Sequence, residues 1–125
     1  MSWNILVVDD DRGMRFLMRI SLERKGFQVT EAPDGRAAVD QVLDLQPDLI
    51  LMDVMMPHMD GLTACQIIRN IEGVAHIPII MMSALTTGRD IQKGLDAGAN
   101  LYLTKPVSPL TLVETVNQVL EDLHH

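Results

Sequence analysis

Residues 48–61, Asp-Leu-Ile-Leu-Met-Asp-Val-Met-Met-Pro-His-Met-Asp-Gly, decide the fold of this chain. The apolar run at residues 49–52 meets a single carboxylate at Asp53, and the chain then turns at Met56-Pro57 and again at Asp60-Gly61. A short apolar run that ends in turn residues is typical of a strand buried on both faces of a sheet. Open α/β sheets bind ligands at the carboxyl ends of their strands, so Asp53 is the first candidate for a functional residue.

Four more runs of strand length flank this one, and a helical pattern follows each strand. The predicted strands are residues 4–8, 27–31, 49–53, 79–82 and 101–103. The second helix is predicted at about residues 36–45, and Ser108-Pro109 is a typical start for the last helix. This alternation predicts an α/β fold of the (βα)₅ type, with a parallel sheet, right-handed crossovers and helices on both faces.

Apolar residues at three- and four-residue spacing predict the buried face of each helix. For the first helix these are Met14, Leu17, Met18, Ser21 and Leu22. For the third they are Leu62, Cys65, Ile68 and Ile71, and for the fourth Ile91, Leu95 and Ala97. The last helix is predicted to be held by Leu112, Val113, Val116, Val119, Leu120 and Leu123. On this pattern Cys65 is a core residue rather than a nucleophile.

The composition indicates one globular domain over residues 1–125. No apolar run approaches the roughly 18 residues of a membrane span, and the start lacks the pattern of a secretory signal. The single cysteine excludes an internal disulfide and suits a reducing compartment. We therefore expect a cytoplasmic protein without a membrane partner.

The charge and the aromatic content argue against a nucleic-acid partner. The net charge is −7, whereas binding to a phosphate backbone needs a basic face. One Trp, one Tyr and two Phe offer no platform on which bases could stack. The four histidines show no ligand spacing and are predicted to be surface groups, and whether the last two are native stays open: His58, His76, His124 and His125.

The predicted topology gathers polar residues that are distant in sequence. Because parallel strands point the same way, their carboxyl ends share one rim, which would hold Asp9, Asp10, Asp11, Asp53, Ser83 and Lys105. In the doubly wound order 2-1-3-4-5 the first and third strands are neighbours, so their acids meet at the switch point. Carboxylates within hydrogen-bonding distance of one another repel unless a proton or a cation neutralises them. Oxygen-only ligands favour Mg²⁺ or Mn²⁺, and such a site suits phosphoryl transfer.

Each of these residues also has a purely structural explanation. Asp11 is predicted to be a turn or N-cap residue, and Asp9 and Asp10 taken alone could be the same. Ser83 alone would be read as a cap, and Lys105 alone as a solvated charge. The functional interpretation depends on all of these residues lying together at one rim of the sheet.

These residues resemble a known family, the receiver domains of two-component response regulators, and the chain looks like a single-domain regulator of the chemotaxis type. The resemblance covers residues 4–122. It is carried by motifs in the family's order and spacing: Val7-Val8-Asp9-Asp10, Asp53-x-x-Met56-Pro57-x-Met59-Asp60-Gly61, Ser83-Ala84 and Thr104-Lys105-Pro106.

The resemblance implies a flavodoxin-like fold and a role for each rim residue. Asp53 would accept a phosphoryl group from a phosphohistidine on a sensor kinase or a histidine phosphotransfer protein. Asp10 would bind Mg²⁺ directly, Asp9 largely through water, and the backbone carbonyl of Met55 would complete the ligands around Asp53. Lys105, the Ser83 hydroxyl and the Ala84 amide would bind the phosphoryl oxygens. A cis bond before Pro106 would aim Lys105 inward.

The resemblance also implies a switch and a readout surface. Ser83 would move towards the phosphoryl group and Tyr102 would rotate inward, although its residue type alone favours a half-buried strand residue. The readout surface would be the fourth helix, fifth strand and fifth helix, about residues 86–121, and would control an unknown partner. The apolar side chains of Met55 and Leu85 predict slow self-dephosphorylation.

Three alternatives stand beside this interpretation. A phosphatase of the haloacid dehalogenase type would want a second Asp two residues after the nucleophile, where this chain has Met55. A flavin carrier would want a hydroxyl- and glycine-rich loop after the first strand, where three acids stand. A degenerate receiver that only binds proteins would not need the complete acid set. The domain is expected to switch rather than to turn over external substrates, and it could be stand-alone or part of a longer regulator.

Overall fold

The computed structural model describes residues 2–123, in which five parallel strands form one sheet of order β2-β1-β3-β4-β5. Strands and helices alternate along the chain as β1 Asn4–Val8, α1 Arg12–Glu23, β2 Gln28–Ala32, α2 Gly35–Leu45, β3 Leu49–Asp53, α3 Gly61–Arg69, β4 Ile79–Ser83, α4 Gly88–Asp96, β5 Leu101–Thr104 and α5 Pro109–Leu123. The predicted fold class and strand order are therefore confirmed. His124 and His125 lie outside the described residues.

The sheet has a hydrophobic layer on each face because successive strand side chains point to opposite sides. On one side Leu6, Val8, Ile50 and Met52 pack with α2, α3 and the end of α4. On the other side, Ile5, Val7, Leu49 and Leu51 of the same two strands pack with α1 and α5. β3 is buried along its whole length, as its apolar run predicts. Cys65 is a buried free thiol in the first layer, and burial raises its pKa.

Three leucines predicted to face the core are exposed instead, and each has a geometric reason. Leu17 is 50% exposed because it lies one residue, about 100° of helix rotation, from the buried Met18. Leu95 is 39% exposed because α4 turns Gly94, its one buried residue, towards the sheet. Leu123 is 51% exposed because the 15 residues of α5, roughly 22 Å long, extend beyond strands of roughly 16 Å.

Of the element boundaries that differ from the prediction, two concern residues of the core. β2 begins at Gln28 and not at Phe27, whose ring packs into the core beneath α1 and α5. α3 ends at Arg69, so Ile71 follows the helix rather than lying on it. Ile71 still packs against the core from the turn that connects α3 to β4. The apolar periodicity therefore marks burial correctly while overstating the length of the helix.

At the amino-terminal rim of the sheet, Arg69 joins three segments of the chain. Its guanidinium donates to the carbonyls of Gly98 (2.9 Å), Ala75 (3.0 Å) and Ile77 (2.6 Å) and to Oδ1 of Asn100 (2.9 Å). No carboxylate of the described chain pairs with it. Burial lowers the pKa of Arg69, and four neutral oxygens compensate the lost hydration. This cluster ties the end of α3 to the loop between α4 and β5.

No helix between residues 2 and 123 is both long enough and apolar enough to cross a membrane.

Candidate functional site

The predicted rim residues meet at the carboxyl ends of the strands. Asp53 is the last residue of β3 and Ser83 the last of β4, and the sheet register places them on adjacent strands. Asp9 follows β1, which pairs with β3, and Lys105 follows β5, which pairs with β4. The parallel sheet thus places one chemical group from each of four strand ends in a single crevice.

Three carboxylates form the centre of this crevice. One ligand oxygen from each of Asp9, Asp10 and Asp53 lies within 4.8 Å of the other two. Asp9 and Asp53 are buried, whereas Asp10 is exposed to solvent. Acidic oxygens this close repel one another, so the cluster holds more negative charge than the chain alone neutralises. The donor set, oxygen without nitrogen or sulfur, fits a hard divalent cation.

Lys105 is the cation that the chain itself supplies. Its Nζ lies 3.0 Å from Oδ2 of Asp9 and 3.3 Å from Oδ2 of Asp53. Burial alone would lower the pKa of Lys105, but the hydrogen bond to Asp9 and the charge of Asp53 raise it above its ordinary value. The amide of Lys105 donates to the Ser83 carbonyl (2.8 Å), and the Lys105–Pro106 peptide bond is cis, as the family resemblance implies.

The two buried acids differ in how they are held. Burial, together with the charge of Asp9, raises the pKa of Asp53 against the opposing effect of Lys105. Asp9 accepts on both oxygens, from Lys105 Nζ on Oδ2 and from the Asp11 amide on Oδ1 (2.9 Å). Of the two buried acids, Asp53 is therefore the less well compensated and the better candidate for a reactive group.

Asp11 has the structural role that its sequence context predicts. Its Oδ1 accepts from the amide of Met14 (3.2 Å), which makes Asp11 the N-cap of α1. It is not one of the three clustered acids.

Ser83 and Tyr102 both bind the backbone of Leu85, at its amide and at its carbonyl. The hydroxyl of Ser83 accepts from the Leu85 amide (3.1 Å), and the hydroxyl of Tyr102 donates to the Leu85 carbonyl (2.8 Å). The Tyr102 ring is partly buried against the core and lies over Gly94, where a Cβ would approach Cδ2 of the ring to 2.6 Å. Ala84, between these residues, is exposed.

The loop after β3 is shaped by close backbone approach. A Cβ on Gly61 would overlap the carbonyl oxygen of Asp53, so only glycine lets α3 begin against the end of β3. The Gly61 amide donates to the Val54 carbonyl (2.8 Å). No hydrogen bond within residues 2–123 occupies the carbonyl of Met55, so that oxygen is free to take a ligand.

A cleft of about 550 Å³ opens beside the acids, between the loops that follow β3 and β4. Its walls are largely apolar and include Met55 and Leu85, with Asp10 at its edge. The Met55 side chain is 61% exposed, so it projects over the cleft instead of joining the core.

Sequence reasoning missed one residue that contacts the acid loop. Arg15, on the first turn of α1, donates from NH1 to the carbonyl of Asp9 (2.7 Å) and from Nε to Glu31 (3.1 Å). Arg19 donates to the second oxygen of Glu31 (3.1 Å). The only available signal was the position of Arg15, four residues after the N-cap Asp11, and it does not predict a partner on β2.

Comparison with known sequences agrees with this geometry. The sequence model of the response regulator receiver domain family matches residues 5–117. The chain is 41% identical over 116 residues to the DNA-binding dual master transcriptional regulator RpaA of Synechocystis, covering 93% of this chain and 48% of RpaA. It is 40% identical over 116 residues to the DNA-binding response regulator MtrA of Mycobacterium tuberculosis, covering 93% of this chain and 50% of MtrA. The chain thus spans about half the length of these relatives.

Solved structures agree as well. The chemotaxis response regulator CheY4 of Vibrio cholerae superposes with a TM-score of 0.90 at 32% identity, over 95% of this chain and 99% of CheY4. A two-component response regulator of Clostridium difficile superposes with a TM-score of 0.92 at 28% identity, over 98% of this chain and 99% of that one. Fold, motif order and family match coincide over nearly the whole chain, which therefore belongs to the receiver domains of two-component response regulators.

Proposed function

We propose that Asp53 is the phosphoacceptor of this receiver domain and that its donor is a phosphohistidine on a sensor kinase or a histidine phosphotransfer protein. The observation that carries the proposal is the position of Lys105, whose Nζ lies 3.3 Å from Asp53 and 3.0 Å from Asp9 beside the acid cluster. A nucleophilic carboxylate next to a fixed cation suits phosphoryl transfer, where positioning and charge neutralisation do most of the work.

In the proposed reaction a carboxylate oxygen of Asp53 attacks the phosphorus. A P–O bond forms, the P–N bond breaks, and its electron pair returns to the imidazole nitrogen. Lys105 pairs with the phosphoryl oxygens, while the Ser83 hydroxyl and the Ala84 amide donate hydrogen bonds to them. The domain would catalyse only its own phosphorylation and dephosphorylation, as a switch and not as a turnover enzyme.

The acid cluster is proposed to hold Mg²⁺, with Mn²⁺ as an alternative, through Asp9, Asp10, Asp53 and the Met55 carbonyl. Its three clustered oxygens and the free carbonyl support this assignment. When bound, the cation supplies the positive charge that offsets repulsion between the acids and the incoming phosphoryl group.

The proposed switch passes through the backbone of Leu85. If the Ser83 hydroxyl turns towards the phosphoryl group, the Leu85 amide loses its acceptor, and the carbonyl of the same residue holds the Tyr102 hydroxyl. A change at the acid site would thereby reach α4, whose Gly94 lies against the Tyr102 ring. The inward rotation expected for Tyr102 stays a prediction; in this structure the ring is already partly buried.

The phosphoryl group is proposed to be long-lived because Met55 and Leu85 flank the cleft through which water would reach it. Replacing Met55 by Asn should shorten the half-life of the phosphorylated domain without preventing its formation. The half-life is measured by loss of radioactive phosphate from the isolated domain, and a wild-type half-life of seconds would contradict the proposal.

The output is proposed to pass through the surface of α4, β5 and α5 to a partner protein or a linked output domain. RpaA and MtrA are described as DNA-binding, but the match covers about half of each, and this acidic domain itself is not expected to bind nucleic acid. We expect residues 1–125 to act as one domain in the cytoplasm. Membership of the receiver family removes the phosphatase and flavin-carrier alternatives.

Intact-mass measurement after incubation with acetyl phosphate and Mg²⁺ tests the proposal directly. Wild type should gain the mass of one phosphoryl group, and Asp53→Asn should gain none. Asp44→Asn, an exposed acid on α2, provides the matched control and should react like wild type. Phosphorylation of Asp53→Asn at the wild-type rate would place the acceptor elsewhere.

A further inference from the structure

Asp10 is the least restrained member of the acid cluster. Within residues 2–123 no hydrogen bond or ion pair holds its carboxylate, which is exposed to solvent. Asp9 is fixed by Lys105 and the Asp11 amide, and Asp53 by Lys105. Repulsion from two neighbouring carboxylates pushes Asp10 outward, so the backbone alone must keep its oxygen near the other two.

The backbone at this point is held by Arg15. The carbonyl of Asp9 belongs to the peptide that joins it to Asp10, and it accepts from NH1 of Arg15 at 2.7 Å. The Arg15 side chain is 15% exposed, and Glu31 of β2 orients its guanidinium through Nε at 3.1 Å. Glu31 on the edge strand β2 is therefore connected through Arg15 to the Asp9–Asp10 peptide, which sets the direction of the Asp10 side chain.

We propose that Arg15 is a positioning residue of the metal site: it fixes the Asp9–Asp10 peptide so that the Asp10 carboxylate stays directed into the cluster. This inference rests on the proposed binding of Mg²⁺ by that cluster. Because the charge of Arg15 is already compensated by Glu31, its effect should come from orientation and not from added positive charge. Partners that orient metal ligands are commonly important for affinity.

Arg19 offers a matched control on the same helix. It pairs with the other oxygen of Glu31 and with Glu23, but it does not touch Asp9. Arg15→Met and Arg19→Met therefore remove the same charge and each remove a Glu31 partner. Only Arg15→Met also removes the hydrogen bond to the Asp9 carbonyl.

The experiment is a calorimetric titration of residues 1–125 with MgCl₂, without any phosphodonor. Arg15→Met should raise the Kd for Mg²⁺ about 10-fold over wild type. Arg19→Met should change the Kd by less than about twofold, since it lies outside the ligand-orienting contacts. Equal Kd values for the two variants would overturn the proposal.

Phosphorylation rates separate positioning from other roles. With acetyl phosphate, Arg15→Met should need more Mg²⁺ for its half-maximal rate and approach the wild-type rate at saturating Mg²⁺. A rate deficit that saturating Mg²⁺ does not reverse would contradict a positioning role. If Arg15→Met does not fold by circular dichroism, Arg15→Lys carries the test: it keeps the positive charge but loses the planar group that contacts Glu31 and the Asp9 carbonyl together, so the Kd should rise, and an unchanged Kd would overturn the inference.

Asp10→Asn distinguishes this inference from the function on which it rests. If wild type binds Mg²⁺, Asp10→Asn weakens binding and the two arginine variants agree, only the role of Arg15 is lost. If wild type does not bind Mg²⁺, the proposed metal site fails together with the role of Arg15.

Discussion

The two rims of the sheet each enclose a cation, and they do so in opposite ways. At the carboxyl rim Lys105 lies among buried carboxylates that raise its pKa. At the amino rim Arg69 lies among neutral oxygens, and burial lowers its pKa. The first arrangement leaves negative charge in excess, whereas the second satisfies its donors and leaves no excess of acid.

The carboxyl rim is therefore suited to bind a further charged group, whereas the contacts of Arg69 at the amino rim serve stability. An excess of buried acid destabilises the folded state, and a bound cation would offset this cost. A guanidinium shared by four oxygens needs no further partner.

The largest expected effect on stability is at the amino rim. Arg69→Met should lower the free energy of unfolding by about 3 kcal/mol, because several part-buried oxygens lose a charged donor. Urea denaturation measures the change. Arg36→Met, an exposed residue 3.9 Å from Asp40, serves as the control and should cost less than about 0.5 kcal/mol. A loss below about 1 kcal/mol for Arg69→Met would show that water replaces the guanidinium without difficulty.

At the carboxyl rim, Lys105→Met should cost about 2 kcal/mol, because Asp9 and Asp53 lose their only contacting cation within residues 2–123. Millimolar Mg²⁺ should restore part of this loss, since the ion would neutralise the same acids. It should not restore Arg69→Met. Thermal melts of both variants with and without Mg²⁺ make the comparison, and equal rescue of both would remove the distinction between the rims.

Two glycines permit a smaller, paired test. Gly61→Ala would overlap the Asp53 carbonyl, and Gly98→Ala would approach Cγ of Arg69 to 2.7 Å at a φ of +116°. Each should cost about 1–2 kcal/mol. Only Gly61→Ala should also slow phosphorylation by acetyl phosphate, because only its clash displaces Asp53. A comparable slowing in Gly98→Ala would mean that the two rims are coupled.

The smallest effect should be a gain in stability. Asp53→Asn should stabilise the domain by about 1 kcal/mol at pH 7 without Mg²⁺, because burial makes the charged form of Asp53 unfavourable. The pKa of Asp53 is raised in the folded state, so the wild-type penalty develops as pH rises above the ordinary carboxyl range. The gain should therefore disappear near pH 3, where both states are protonated. Unfolding at both pH values tests this, and a gain that is independent of pH would point to packing.

Most residues of the carboxyl rim could be predicted from sequence because the topology of a parallel sheet determines which residues meet there. Parallel strands bring their ends together, so Asp9, Asp10, Asp53, Ser83 and Lys105 needed only their places at strand ends to be grouped. The amino rim could not be predicted in this way. Arg69 looks like a surface arginine on a helix, and its acceptors are backbone carbonyls, which carry no signal of residue type.

The exposed leucines show a second limit of sequence reasoning. Periodicity places Leu95 on an inward face, but the space beneath α4 is taken by the Tyr102 ring, and only Gly94 fits there. Which residue of a helix contacts the sheet depends on the volume of the side chain opposite it, and that pairing is set by the tertiary structure. Arg15 was missed because its partners also depend on tertiary structure: Asp9 follows β1, and Glu31 lies on β2.

The contact between Gly94 and Tyr102 has a mechanical consequence. At this point α4 contacts the sheet through the backbone of Gly94 and not through an interlocking side chain. The contact therefore does little to fix the position of the helix. The segment after its carboxyl-terminal end is held by Arg69 at Gly98 and Asn100, and the segment before its amino-terminal end by the Tyr102 hydrogen bond to the Leu85 carbonyl. Loss of the Tyr102 hydrogen bond would therefore leave α4 anchored at one end, about which it could tilt.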